Sequence, residues 1–126
     1  MGWIGVDFDG TLAHHTTWKG GEHLGEPIRR TVNRVRNLLR RGYDVRIFTS
    51  RVGVTGETNA LGETADEAFA ARQRELIEAW CEAHIGRKLP VTAQKDFNLL
   101  WIYDDRCTQL EPNTGVMVAE GYEVLP

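Results

Sequence analysis

The sequence predicts an α/β domain built on a parallel sheet, and three observations carry that reading. Short apolar runs of strand type alternate with segments of helical period. Three of the runs end in a polar cluster: Asp7-Phe8-Asp9-Gly10-Thr11-Leu12, Thr49-Ser50-Arg51 and Asp104-Asp105-Arg106. With 126 residues, 41% hydrophobic and 26% charged, the chain has room for one core and an ordinary globular balance. No repeat, low-complexity tract or linker divides it, so residues 1–126 are read as one domain.

Trp3 to Phe8 reads as a first strand, apolar until Asp7 and ended by Gly10. Residues 13–26 form a polar loop carrying His14, His15, Trp18 and His23. Pro27 opens helix one, because the first helical position has no use for the N–H that proline lacks. Ile28, Val32, Val35, Leu38 and Leu39 recur at helical spacing and make one apolar face, with Gly42 as the stop. Tyr43 to Phe48 is strand two. The loop after it carries Gly53, Gly56 and Gly62, which give it freedom to move. Thr64-Ala65-Asp66-Glu67 fits a capping box opening helix two, which runs to Ile85. Its apolar face is read as Ala65, Phe69, Leu76, Trp80 and Ala83, interrupted by Arg72. Leu89 to Ala93 is a third strand and Leu99 to Tyr103 a fourth. Cys107 to Leu110 and Val116 to Ala119 make a closing hairpin, or a fifth strand with a return.

Charge and composition exclude several classes. A net charge of −3 and a pI near 5.8 give no global pull toward nucleic acid or anionic membrane. No apolar run approaches the ~20 residues that span a bilayer. The N-terminus has no basic segment followed by an apolar one, as a secretory signal requires, and Val6 breaks the myristoylation pattern. Cys81 and Cys107 are lone thiols without metal-ligand spacing, which argues against a disulfide framework or a zinc site. The expectation is a soluble protein of a reducing cytoplasm. Arg29, Arg30, Arg34, Arg36, Arg40 and Arg41 lie outside the apolar arc of helix one and are read as a solvated face, the alternative being a surface that attracts a polyanion.

The chemistry follows from where the polar clusters fall. In an open parallel sheet the carboxyl ends of the strands share one edge, and ligands bind there. Asp7, Asp9, Asp104 and Asp105 would therefore crowd into one crevice, joined by Thr49 and by Lys95 ahead of the fourth strand. Crowded carboxylates repel, raising their pKa values, unless a cation relieves them. Hard oxygen ligands with room for water suit Mg²⁺. A lysine and a hydroxyl beside it suit the oxygens of a phosphoryl group. Carboxylate, metal, lysine and hydroxyl together point to phosphoryl transfer.

Asp7-Phe8-Asp9-Gly10-Thr11 after an apolar strand resembles the first motif of the haloacid dehalogenase superfamily. Thr49 is similar to its second motif, Lys95 to its third and Asp104-Asp105 to its fourth, in the same order and over most of the chain. The resemblance implies a three-layer, Rossmann-like core with a mostly parallel sheet. It also implies a Mg²⁺-dependent phosphatase. Asp7 would be the nucleophile, forming an aspartyl-phosphate, and Asp9 the general acid and base. Asp7, Asp104 and the backbone carbonyl of Asp9 would hold Mg²⁺, with Asp105 supporting it directly or through water. Thr49 and Lys95 would bind the phosphoryl oxygens. An aspartate at position 9 favours ester hydrolysis over carbon–halogen or carbon–phosphorus cleavage. No segment is left over for a cap domain, so the site would be open. It would admit bulky phosphorylated substrates, with water excluded by the two loops, a large substrate or a partner subunit in a homo-oligomer.

The same residues admit other readings. A calcium loop fails, because the third ligand before glycine and the later glutamate are missing. Asp104-Asp105 alone would serve as a helix N-cap, Lys95 alone as a surface lysine, and Ser50 competes with Thr49 for the phosphate. His14, His15 and His23 lack the spacing of a zinc site; the choice is between substrate contact and a solvated loop. A nucleic-acid end phosphatase is a narrower enzyme reading: Thr49-Ser50-Arg51 and residues 80–86 distantly resemble the phosphatase domain of phage polynucleotide kinases. The negative charge counts against it. A receiver-like signalling module also uses aspartates, a hydroxyl, a lysine and Mg²⁺, but its acidic pair comes early and its phosphorylated aspartate later. A non-catalytic relative is the remaining alternative.

Overall fold

Four strands arise where the apolar runs stand, and all pair in parallel: β1 (Trp3–Val6), β2 (Asp44–Phe48), β3 (Val91–Thr92) and β4 (Leu99–Tyr103). The computed structural model describes residues 2–119; residues 1 and 120–126 of the expected domain lie outside them. The strand order is β3-β2-β1-β4. β1 is central and buried at all four residues, as its unbroken Trp-Ile-Gly-Val run requires of a strand covered on both faces. Val6 stands beside Ile47 on one side and Tyr103 on the other, so Asp7, Thr49 and Asp104 all emerge at the same edge. The chain crosses from β3 at one margin to β4 at the other, which puts the topological switch point between β1 and β4.

Helix α1 (Arg29–Arg40) follows the expected face: Val32, Val35 and Leu38 are buried and Leu39 packs against the core. Pro27 stands ahead of the helix, whose N-cap is Ile28. The helix ends as expected at Gly42, whose φ of +85° suits glycine; Gly42 N–H donates to the Leu39 carbonyl and Tyr43 N–H to that of Leu38. Helix α2 (Glu67–His84) differs from expectation in two ways. Its N-cap is Asp66, whose carboxylate accepts from the Phe69 N–H, so the Thr64/Glu67 capping box does not form. Its buried face is Ala70, Gln73, Ile77, Trp80 and Cys81, one residue further on than the face through Ala65, Phe69 and Leu76. Arg72 thereby leaves the buried face and pairs on the surface with Glu22 at 2.7 Å.

Both helices feed one core cluster with Ile4, Val6, Val45, Ile47 and Val91, and Arg36 of α1 donates to the His84 and Ile85 carbonyls at the end of α2. The connection from β3 to β4 carries no helix. On the opposite sheet face stand Trp3, stacked under Arg46 and bonded to Asp96, and the half-buried Phe48. Of the three layers expected, two are seen among the described residues. Residues 107–119 form a hairpin closed by a single Leu110–Met117 bridge rather than a fifth strand. Among the described residues no helix is long and apolar enough to cross a membrane. Among the described residues no element between the strands forms a separate unit: the first interval holds a loop and α1, the second a 3-10 turn at Ser50–Val52, a loop and α2, and the third a loop alone.

Candidate active site

The site is built outward from Phe8. This ring is fully buried and packs edge-on against Trp80 at 5.0 Å, so the residues flanking it, Asp7 and Asp9, are left partly open at the strand end. Burying an aromatic of this size contributes ~1.5–3 kcal/mol, which anchors the turn that carries both aspartates. The Phe8 carbonyl accepts from the backbone N–H groups of Thr11, Leu12 and Ala13, closing the chain into a tight turn. Gly10 sits in it with φ +88°, and a Cβ there would lie 2.5 Å from the Asp105 carboxylate. The backbone conformation calls for glycine, and a side chain here would push the Asp105 carboxylate aside.

Asp7, Asp104 and Asp105 converge: one carboxylate oxygen from each lies within 4.8 Å of the others. The Thr11 hydroxyl lies 3.2 Å from Asp7 Oδ2 and 3.1 Å from Asp105 Oδ1, within donating distance of both. Burial pushes the Asp7 carboxyl up to about 7, helped by the Asp105 side chain and the charges of Asp104 and Asp105, while Thr11 opposes the shift. The smaller contributions from Asp104 and Asp105 are those expected of acids sharing one crevice. Three carboxylates and no nitrogen or sulfur ligand fit a hard divalent cation. The Asp9 carboxylate is not in this group; its expected part in the metal site was through the backbone carbonyl. Its carboxylate is clamped by Arg51, with Nε 2.7 Å from Oδ2 and Nη2 2.9 Å from Oδ1.

Thr49 closes β2 beside them. It is buried, and its hydroxyl oxygen accepts from the Arg51 N–H at 3.2 Å. Its own O–H hydrogen stays free to donate. A cleft of 510 Å³ brings Asp7, Thr49, Ser50, Asp104 and Arg106 together. A second cleft, of 580 Å³, runs from Asp9 past His15, Trp18 and Arg106 toward the glycine-rich loop. The two share Ser50 and Arg106. Thr49 and Ser50 thus both reach the site, Ser50 from its exposed rim.

Lys95 is not brought in. It is exposed on the β3–β4 connection, makes no hydrogen bond or ion pair among the described residues and lines neither cleft; Ala93 does. The cation that does line both clefts is Arg106. His14, His15 and His23 line one cleft with Asp9, His15 Nδ1 standing 3.8 Å from Asp9 Oδ1, and among the described residues they form no metal cluster of three ligands.

Sequence reasoning gave no role to Arg51, Gln73 or Glu63. Glu63 accepts from the Trp18 indole at 2.8 Å and the Gly21 N–H at 2.7 Å, bolting the 13–26 loop to the glycine-rich one. The latter is folded on itself through Thr58–Thr64 and Asn59–Glu63 contacts. The one local signal was a charged residue, Arg51, in the polar cluster that follows an apolar strand. No family model, curated protein or solved structure matches this chain.

Proposed function

We propose that this protein is a Mg²⁺-dependent phosphatase that hydrolyses phosphate monoesters through an aspartyl-phosphate on Asp7, with a capless core of the haloacid dehalogenase type. The observation that carries the reading is the convergence of Asp7, Thr49, Asp104 and Asp105 at one sheet edge, from three strands spread along the sequence. Asp7, Asp104 and Asp105, with the Asp9 carbonyl, would hold the cation. When bound, Mg²⁺ neutralises charge on the phosphoryl oxygens and keeps the carboxylates ionised.

The chain's own residues do the rest. An Asp7 carboxylate oxygen attacks phosphorus. The bond to the leaving oxygen breaks, its electron pair goes to that oxygen, and Asp9 supplies the proton. In the second displacement water attacks the same phosphorus, Asp9 takes the water's proton, and the bond to Asp7 breaks with its electrons returning to the carboxylate. Thr49 donates its hydroxyl to a phosphoryl oxygen. Arg106 supplies positive charge at the cleft, and Lys95, outside it on the adjoining connection, would take part only after that connection moves. Asp9 opens onto the second cleft, which suits the leaving group. The joint mouth of the two clefts accommodates bulky phosphorylated groups.

A panel of phosphomonoesters, assayed for phosphate release with Mg²⁺ and with a chelator, tests the reading. Mg²⁺-dependent release that disappears in Asp7→Asn supports it; release unaffected by Asp7→Asn refutes it.

A further inference from the structure

We propose that Arg51 is a positioning residue for Asp9, fixing the direction in which that carboxylate faces the leaving-group cleft; this rests on the phosphatase reading above. The Arg51 side chain is 3% exposed. Its five N–H donors meet five acceptors. Nε and one Nη2 hydrogen go to the two oxygens of Asp9, and the second Nη2 hydrogen to the His23 carbonyl at 3.0 Å. Nη1 reaches Gln73 Oε1 at 2.8 Å and the Gly21 carbonyl at 3.2 Å. The guanidinium also lies over the Trp18 ring, 4.5 Å from its centroid, and 5.7 Å from that of Phe8.

Attraction to Asp9 alone would need only a nearby positive charge. Saturation of every donor by the 13–26 loop, α2 and Asp9 fixes the plane of the guanidinium. A fork held in one plane holds a carboxylate in one plane too. Gln73 explains itself in this arrangement. It is the one polar residue on the buried face of α2, 1% exposed, and it bonds both Arg51 and the Gly21 carbonyl. Arg51 occupies two of the roughly four lone-pair sites of Asp9, so the others stay available to a leaving oxygen or a water. No separate unit among the described residues closes over the site to orient the acid. The core therefore does it, and a misdirected acid loses much of its effect even when its charge is unchanged.

The test separates leaving groups. Wild type, Arg51→Lys and Gln73→Met are assayed with Mg²⁺ on phenyl phosphate, whose departing oxygen needs a proton, and on 2,4-dinitrophenyl phosphate, whose departing oxygen does not. The readout is kcat/KM, which covers steps up to departure of the leaving group. Arg51→Lys keeps the charge and loses the fork, so it should lower kcat/KM on phenyl phosphate about 100-fold and on the dinitrophenyl ester under about fivefold. Gln73→Met leaves Arg51 and Asp9 in place but removes one anchor, and should shift phenyl phosphate alone, by about fivefold. If Arg51→Lys fails to fold by circular dichroism, Gln73→Met decides. Equal losses on both esters, or no loss on either, overturn the positioning role while leaving the phosphatase reading standing. A wild type inert toward both esters refutes the phosphatase reading and takes this proposal with it.

Discussion

Without metal, this protein should lose stability as pH rises from 5.5 to 8, and Asp7 should be the cause. Burial, with the Asp105 side chain and the charges of Asp104 and Asp105, pushes the Asp7 carboxyl up to about 7 in the folded chain, well above the ordinary aspartate value. Between those values the folded protein holds a proton that the unfolded chain releases. The native state binds more protons, so stability falls as pH rises through the window and levels off above it. At 1.36 kcal/mol per unit, the stretch from pH 5.5 to about 7 is worth roughly 2 kcal/mol at most. Asp7 is only partly buried, and solvent screening brings this to about 1 kcal/mol. For a chain of this size that is a drop of about 3–5 °C in Tm. Glu22, Glu63 and Asp96 are held below their usual values by hydrogen bonds, so what they contribute is lost only as pH falls below the window. The assay is a thermal melt in chelator at pH 5.5 and 8, with Asp7→Asn measuring the slope from every other group. Mg²⁺ should reverse the trend, because it binds the ionised carboxylates; at 100 times its Kd it adds about 2.7 kcal/mol. Parallel pH curves for wild type and Asp7→Asn, with equal Mg²⁺ stabilisation at both pH values, would refute the reasoning.

Further expectations concern individual residues. Asp7→Asn should remove turnover by several orders of magnitude with the circular dichroism spectrum unchanged, whereas Asp9→Asn should let slow turnover persist, best on esters with good leaving groups. Gly10→Ala should cost about 1–3 kcal/mol by thermal melt and weaken Mg²⁺ binding, since its Cβ displaces Asp105 from the acidic trio. Arg106→Ala should raise KM for a phosphomonoester about tenfold or more, and Lys95→Ala less. The reverse order would mean that the β3–β4 connection folds over the cleft when substrate binds.

The positions of β1, β2 and β4, the α1 face and the grouping of Asp7, Thr49 and Asp104 at one edge were all legible in the sequence. Each rests on a local signal: an apolar run, a helical period, or a polar residue at the end of a strand. Alternation of buried and open residues about Phe8 then follows from the chain's own geometry. The face of α2 was not legible. Phe69 and Leu76 form one stripe and Ala70 and Ile77 its neighbour, and packing beneath η1 (Ser50–Val52) and β3 chose the second. The same choice turned Gln73 inward and Arg72 outward. The third layer was expected from resemblance to a family. The chain places no helix between β3 and β4, and only the folded sheet shows that α1 and α2 share a face. Arg51 was least readable of all. Asp9, Gly21, His23 and Gln73 stand 42, 30, 28 and 22 positions from it, so no local pattern joins them. They meet because a buried guanidinium must have every donor satisfied, and only the tertiary structure brings five acceptors to one place.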